Sequence, residues 1–207
     1  MEGDLRRIPL SRRSHVTGFQ SLATGLTEHE SALERDFVTL SSFTDAGAVL
    51  TAQPVTIRFE HEGQQRRYTP DFRVVWSDGR TDIVEVKYRV DLRAGWRRFR
   101  PAFAAMRNWA NSNGARFRIA TERGIRGPRL EAAKRLLPLR NAPIDVVLAE
   151  RAIAVVRGHA TSFGHLVDVL PASREAGLAV VWRLIARGAL VIDLSMPITT
   201  DTRVTAP

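Results

Sequence analysis

The fold turns on one stretch of the chain, Tyr68-Thr69-Pro70-Asp71-Phe72-Arg73-Val74-Val75-Trp76-Ser77-Asp78-Gly79-Arg80-Thr81-Asp82-Ile83-Val84-Glu85-Val86-Lys87. Two β-rich runs, residues 72–76 and 81–87, flank Ser77-Asp78-Gly79, a strong turn signal, so the stretch reads as a β-hairpin. A tight turn centred on Asp78 and Gly79 sets position 71 opposite 86. One extra, bulged turn residue sets it opposite 85. Either way Asp71 and Glu85 become near neighbours on adjacent strands. Glu85 and Lys87 are two residues apart and share a strand face, while Val84 and Val86 take the other, buried one. The result is two carboxylates and one ammonium on a single patch backed by aliphatics.

Those are the parts that phosphodiester hydrolysis needs. Carboxylate oxygens suit Mg²⁺, a hard cation that keeps several waters and takes one or two carboxylates plus phosphate oxygens. Such an ion polarises the scissile phosphate and acidifies a bound water. A lysine can orient or deprotonate that water, or stabilise charge at phosphorus. An Asp before one strand and a Glu-x-Lys on another are also ordinary surface residues, so the pattern alone is weak. Three features favour chemistry. The spacing fits a hairpin, and a basic segment follows at once. Lys87 is also one of only two lysines, the other being Lys134, among 31 basic residues. An arginine at that place could not readily give up a proton.

Outward from the hairpin the periodicity is mixed. Residues 28–43 read as a helix, with Leu33, Phe37 and Leu40 as its stripe and Thr27 as N-cap. Glu34 lies beside that stripe, and periodicity favours a solvated helix carboxylate. Val55, Ile57 and Phe59 alternate as a strand, and Glu62-Gly63 reads as a turn. Residues 98–112 form a helix with Phe99, Phe103, Met106 and Ala110 on one side. It stops at Asn113-Gly114. Residues 117–121 read as a strand and 129–137 as a short helix. Residues 1–27 look irregular. A boundary is expected near Asn141-Ala142-Pro143. Beyond it come helices over 144–157, 163–170 and 174–187, the last capped by Ser173, and then a hairpin around Met196-Pro197. Three helices and a two-stranded wing make a winged-helix pattern. The elements over 28–143 are α/β in class, and those over 144–207 make a small winged-helix-like domain.

Composition agrees with a folded, anion-binding protein. The chain has 207 residues, 44% of them hydrophobic, and carries a net charge of +9. It has no cysteine, which excludes disulfides, thiol nucleophiles and thiolate zinc sites. There is no bilayer-length apolar run, and no apolar segment follows Arg6, Arg7, Arg12 and Arg13. A cytoplasmic protein without a signal peptide or membrane partner is expected. The charge is uneven. Residues 87–140 hold 15 basic residues against Asp91, Glu122 and Glu131, whereas residues 144–207 balance at six of each sign. A segment so one-sided reads as an electrostatic footprint for nucleic acid, with Arg89, Arg93, Arg97 and Arg98 as candidate contacts. Trp96 sits among them and reads first as a packing residue. A winged helix that reads DNA should be basic, so the neutral C-terminal part favours docking to a protein.

The ordered set Ser31-Ala32-Leu33-Glu34-Arg35-Asp36-Phe37, Gln53-Pro54-Val55, Tyr68-Thr69-Pro70-Asp71-Phe72 and Val84-Glu85-Val86-Lys87 resembles TnsA-type endonucleases. These are the restriction-endonuclease-like, PD-(D/E)xK subunits of heteromeric, Tn7-like transposases. The similarity continues through Trp109-Ala110-Asn111, Gly114 and residues 117–122. It extends to a C-terminal winged-helix-like region, so that it covers nearly the whole chain; residues 1–20 match least. The resemblance implies a restriction-endonuclease-like domain over 28–143, a mixed central sheet flanked by helices, with a metal site in which Glu34, Asp71 and Glu85 are the carboxylate ligands and Lys87 is the catalytic lysine. Mg²⁺ is the implied ion, with Mn²⁺ able to substitute. Gln53 matches the family's Gln-Pro; it either hydrogen-bonds near the site or caps backbone. The implied role is cleavage of the non-transferred strands at transposon ends, in double-stranded DNA. The implied partners are a TnsB-like DDE transposase and a TnsC-like AAA+ ATPase regulator. Two other readings stand beside it. One is a defence or repair nuclease of the same fold. The other is a DNA-binding adaptor with a vestigial nuclease fold, against which the intact acidic set and lysine argue.

Overall fold

The structure, a computed structural model, describes residues 18–22 and 25–207. It divides into two compact units, residues 1–125 and 126–207. Among the described residues no helix is long and apolar enough to cross a membrane.

The first unit is built on a four-stranded mixed sheet. Its chain order runs from β1 (Gly18–Leu22), β2 (Gly25–His29) and α1 (Ala32–Thr44) to β3 (Val49–Ala52), β4 (Ile57–His61), β5 (Gln64–Tyr68), β6 (Phe72–Val75) and β7 (Thr81–Val86). α2 (Arg89–Ser112), β8 (Arg116–Ala120) and α3 (Glu122–Ile125) complete it. The sheet order is β3-β6-β7-β8, antiparallel except for the parallel β7–β8 pair. That parallel pair requires a crossover, which α2 supplies. α1 covers one face through Leu33 and Val38 against Phe72, Val74, Val84 and Val86. α2 covers the other through Phe103, Met106 and Ala110 against Ile83 and Phe117. β7 is therefore buried on both faces, from Asp82 through Val86. The polar exception on its α1 face is Asp82. It accepts from Trp76 Nε1 at 2.9 Å, Arg116 Nε at 3.0 Å and Arg118 Nη1 at 3.1 Å. This is the mixed sheet flanked by helices that the sequence predicts, and it is compatible with a restriction-endonuclease-like domain.

Several boundaries differ from the sequence reading. α1 begins at Ala32 because Ser31 caps it, its hydroxyl accepting from Glu34 N at 3.2 Å. Thr27, the expected cap, lies in a strand and donates to the Leu50 carbonyl at 2.9 Å. Part of the segment read as irregular pairs as an antiparallel ribbon, Gly18 opposite His29 through Leu22 opposite Gly25. Side-chain hydrogen bonds such as Gln20 to Thr39 tie it down. The remainder of 1–27 lies outside the described residues. β5, with the sequence Gln-Gln-Arg-Arg-Tyr, carries no apolar alternation and was not foreseen as a strand. α2 starts nine residues earlier than expected. Its first turns lack an apolar stripe, but the Glu122 carboxylate accepts from Arg89 N at 2.9 Å and serves as a cap from a distant segment.

The second unit contains α4 (Pro128–Leu136), a 3₁₀ turn (Leu137–Leu139), α5 (Val146–Gly158), β9 (Thr161–Ser162), α6 (Phe163–Asp168), α7 (Arg174–Ala186), β10 (Val191–Ile192) and β11 (Arg203–Thr205). Its sheet has three strands in the order β10-β11-β9. The expected boundary at 143 moves to 125 for a visible reason. Arg187 Nη2 donates to the Ala142 carbonyl at 2.6 Å and its Nε to that of Arg140 at 3.2 Å. Arg140 Nε in turn reaches the Ala186 carbonyl at 3.4 Å. The Asn-Ala-Pro segment is thus stitched to the end of α7 and is no linker.

Candidate active site

Phe72 pairs with Val84 and Val75 with Thr81, so the ladder extrapolates to Asp71 opposite Glu85. This is the bulged alternative. The turn spans Trp76 to Arg80 and is closed by Trp76 N donating to Arg80 O at 2.9 Å, with Gly79 at φ +85°. Asp71 lies one residue before the strand proper, where its Oδ2 accepts from Val86 N at 2.6 Å. The bond pins the carboxylate at the end of the ladder.

Glu85 belongs to the α2 side of β7. Its side chain is only 5% exposed, and Lys87 beside it is 24% exposed. Both Glu85 oxygens are engaged. Oε1 takes the Lys87 ammonium, and Oε2 accepts from the Tyr68 hydroxyl at 2.6 Å. Lys87 also lies over the Phe99 ring, 5.0 Å from its centroid. That ring stacks on Phe103 at 5.7 Å and 15°. It rests against Gly95, where an added Cβ would meet it at 2.4 Å. The glycine is what lets the ring lie beneath the ammonium.

The electrostatics are those of a crowded carboxylate pair. Burial, and then the Glu85 charge, push Asp71 up to about 8, despite the Val86 N–H bond and the Lys87 charge that pull it down. Burial, then the Glu85 charge and hydrogen bond, raise the Tyr68 hydroxyl well above the ordinary phenol range, so it stays a donor. One ammonium balances one acid, so ionising both would leave surplus negative charge in a poorly solvated place, and Asp71 keeps its proton instead. Hard oxygen donors with an unmet charge fit a divalent cation of the Mg²⁺ class, and each carboxylate oxygen keeps a lone pair beyond its present bond.

Asp71, Glu85 and Lys87 therefore converge as expected, whereas Glu34 does not join them. Its Oε2 accepts from Glu30 N at 2.7 Å and its Oε1 from the Ser31 hydroxyl at 2.8 Å, which makes it part of a capping box. Burial is the main cause that raises Glu34, and the Asp71 carboxylate feels its charge, so it stands nearby. Among the described residues, however, no three His, Asp or Glu side chains converge as a metal cluster. The expected three-carboxylate set is not assembled in this structure. Gln53 hydrogen-bonds beside the site, and among the described residues its side chain caps no backbone group. Its N donates to the Asp71 carbonyl at 2.8 Å, and its Nε2 donates to Glu30 Oε1 at 2.7 Å. It adopts φ +44°, a left-handed backbone for a residue with a side chain, so local strain is stored beside Asp71.

Of the four arginines proposed for DNA, Arg93 and Arg97 are exposed one turn apart on α2, while Arg89 is half-buried at its start. Arg98 is rotated by about 100° from Arg97, and it lies on the Phe99 ring at 4.8 Å. The residues that sequence reasoning left without a role are Tyr68, Phe99 and Gly95. Tyr68 was quoted within its motif and Phe99 within a helix stripe, but no spacing signal linked either to Glu85 or Lys87.

Residues 50–122 match the family model described as the TnsA-like endonuclease N terminal domain. The matched span includes Gln53, Tyr68, Asp71, Glu85 and Lys87 and excludes Glu34. It is narrower than the nearly whole-chain likeness read from the motifs. No curated protein matches the chain.

Proposed function

Starting from a chain that carries a TnsA-like endonuclease domain over residues 50–122, we propose a metal-dependent DNA endonuclease. In this reading it cuts the non-transferred strands at transposon ends, beside a TnsB-like DDE transposase and under a TnsC-like AAA+ regulator. The carrying observation is the pairing of Asp71 with Glu85 against Lys87, inside the matched span.

Asp71 and Glu85 would hold Mg²⁺, or Mn²⁺ in its place, and the ion would supply Lewis-acid polarisation of the phosphate and an acidified water. The chain's own groups then have distinct tasks. Val86 N–H orients Asp71. Tyr68 fixes one Glu85 oxygen, which sets the direction of the other. Lys87, beside Glu85, would balance charge on the phosphate as an ammonium, or, once it has given its own proton to solvent, take one from the attacking water as a neutral amine. Glu34 would act by turning away from its capping bonds towards Asp71.

For the second unit we propose a winged-helix-like module that docks to a protein. In favour are its helix order and the sheet order β10-β11-β9. With the boundary at 126 the unit is basic, holding 11 basic and seven acidic residues. Its charge therefore no longer argues for docking. The helix that would enter a groove does. α7 buries Val180, Val181, Leu184 and Ile185, and α4 packs over it with Arg135 stacked on Trp182 at 4.9 Å.

The test is Mn²⁺ calorimetry on the wild type beside Asp71→Ala, followed by strand cleavage of an end duplex in Mg²⁺ with the partner transposase present. Metal binding and cleavage should both vanish in the variant. Cleavage retained by Asp71→Ala would refute the assignment.

A further inference from the structure

β4 and β5 form a two-stranded ribbon outside the central sheet, paired from Ile57 opposite Tyr68 to His61 opposite Gln64. Its inner face is fixed, with Ile57 and Tyr68 packed against Phe103 and Phe117 under α2. Its outer face is unusual. Arg58 stands directly opposite Arg67, and both are exposed. Like charges in directly opposed positions of a ladder repel. Among the described residues neither arginine has an acid partner. Glu60, at the next outward position towards the turn, pairs with Gln65 in the ladder and with neither of them. One outward step the other way, the Thr56 and Thr69 hydroxyls meet at 2.7 Å. One of them donates to the other, which leaves one O–H proton free. Asp71 comes two residues after Thr69.

Outward positions on a strand repeat every two residues, about 6.7 Å. The face thus offers a hydroxyl pair and a cation pair in a row, and from Thr69 the chain passes through Pro70 to Asp71. A repulsive cation pair kept at the surface is accounted for by an anion that bridges it. We propose that Arg58, Arg67 and the Thr56–Thr69 pair grip the phosphate backbone of the duplex DNA on which Asp71 is to act. The ribbon thereby becomes a sequence-independent arm of the site. The proposal rests on the nuclease reading for the role of Asp71, while the grip itself can be tested apart from it.

The experiment is fluorescence anisotropy of a labelled 30-base-pair duplex in EDTA, which prevents cleavage, from 50 to 200 mM NaCl. Each phosphate contact contributes about 0.9 to the slope of log affinity against log salt, so Arg58→Gln/Arg67→Gln should lower it by about 1.8. Thr69→Val removes a neutral donor. It should weaken binding several-fold with the slope unchanged. Arg80→Gln is the charge control, because its guanidinium is already held by Asp78 at 2.6 Å at the far end of the hairpin. It should leave the slope alone. The double variant relieves a repulsion, so its melting temperature should hold or rise, which separates lost binding from lost fold. An unchanged slope in the double variant, or a wild type that does not bind the duplex at 50 mM NaCl, overturns the proposal. Mn²⁺ calorimetry on the same proteins distinguishes the two readings. A slope that falls in a protein whose wild type takes no metal would uphold the ribbon and sink the nuclease. Intact metal binding with an unchanged slope would do the reverse.

Discussion

Asp71→Asn should stabilise the metal-free protein while removing its function. The wild-type carboxyl sits near 8 against an ordinary 3.8. Between those values the folded state binds a proton that the unfolded state has released, so stability falls as pH rises through that window and levels off above it. At 1.36 kcal/mol per pH unit, the lag from 3.8 to pH 7 amounts to about 4 kcal/mol. Water entry and a shift of the Lys87 ammonium towards Asp71 relieve part of this, and half, about 2 kcal/mol, is the figure to test. Asparagine has the same shape. Its Oδ1 can still accept from Val86 N, and its amide can donate towards Glu85. For a chain of this size about 2 kcal/mol corresponds to roughly 4–8 °C in melting temperature. Calorimetric melts of both proteins in EDTA at pH 5, 7 and 8.5 provide the assay. The gap should be small at pH 5 and widen by pH 8.5, and saturating Mn²⁺ should close it by stabilising the wild type alone. A variant that melts at or below wild type at pH 8.5, or a gap independent of pH, would refute the claim that two crowded carboxylates await a cation.

Two further substitutions test how the site is held. Tyr68→Phe removes the donor to Glu85 Oε2 and leaves the ring contacts with Phe103 and Phe117. A hydrogen bond to a charged acceptor contributes about 1.5–3 kcal/mol, so roughly a ten-fold or greater loss of cleavage rate is expected, with DNA affinity unchanged. A loss seen only in affinity would mean that the hydroxyl does not position Glu85. Gly95→Ala should reverse the usual preference for alanine inside a helix, worth about 1 kcal/mol, because the new methyl meets the Phe99 ring at 2.4 Å and that ring is backed by Phe103. A lower melting temperature and slower cleavage are expected. A more stable, fully active protein would show that the ring and Lys87 are not linked.

The sheet was legible where its strands are covered. The runs around Phe72 and Val84 sit between α1 and α2, and burial on both faces wrote a hydrophobic signal into the chain. β5 was illegible because its outward side chains are in water and only Tyr68 packs, so neither period appears. The early start of α2 was hidden for another reason. Its cap is Glu122, 33 residues away, and no local pattern reports such a bond. The misplaced domain boundary has the same origin. Asn-Ala-Pro carries every local mark of a linker, and what ties it down is Arg187 from beyond α7.

The site shows the same division between local and distant causes. The hairpin spacing alone brought Asp71 to Glu85, because register follows from turn length, and of the two turn geometries the five-residue one occurs. Glu34 shows how local bonds hold a candidate ligand. Its order in the chain implied a ligand and its periodicity a solvated carboxylate, and in the structure its two oxygens are engaged by Glu30 N and the Ser31 hydroxyl. Ser31-x-x-Glu34 is itself a capping box, so the residues that mark the helix start also hold the carboxylate back. Each capping bond contributes on the order of 1 kcal/mol, so on the proposed reading Glu34 would join a cation only where its own bond to the ion exceeds the two it gives up. Gln53, strained and bonded to both Glu30 and the Asp71 carbonyl, already spans the two sides of that choice.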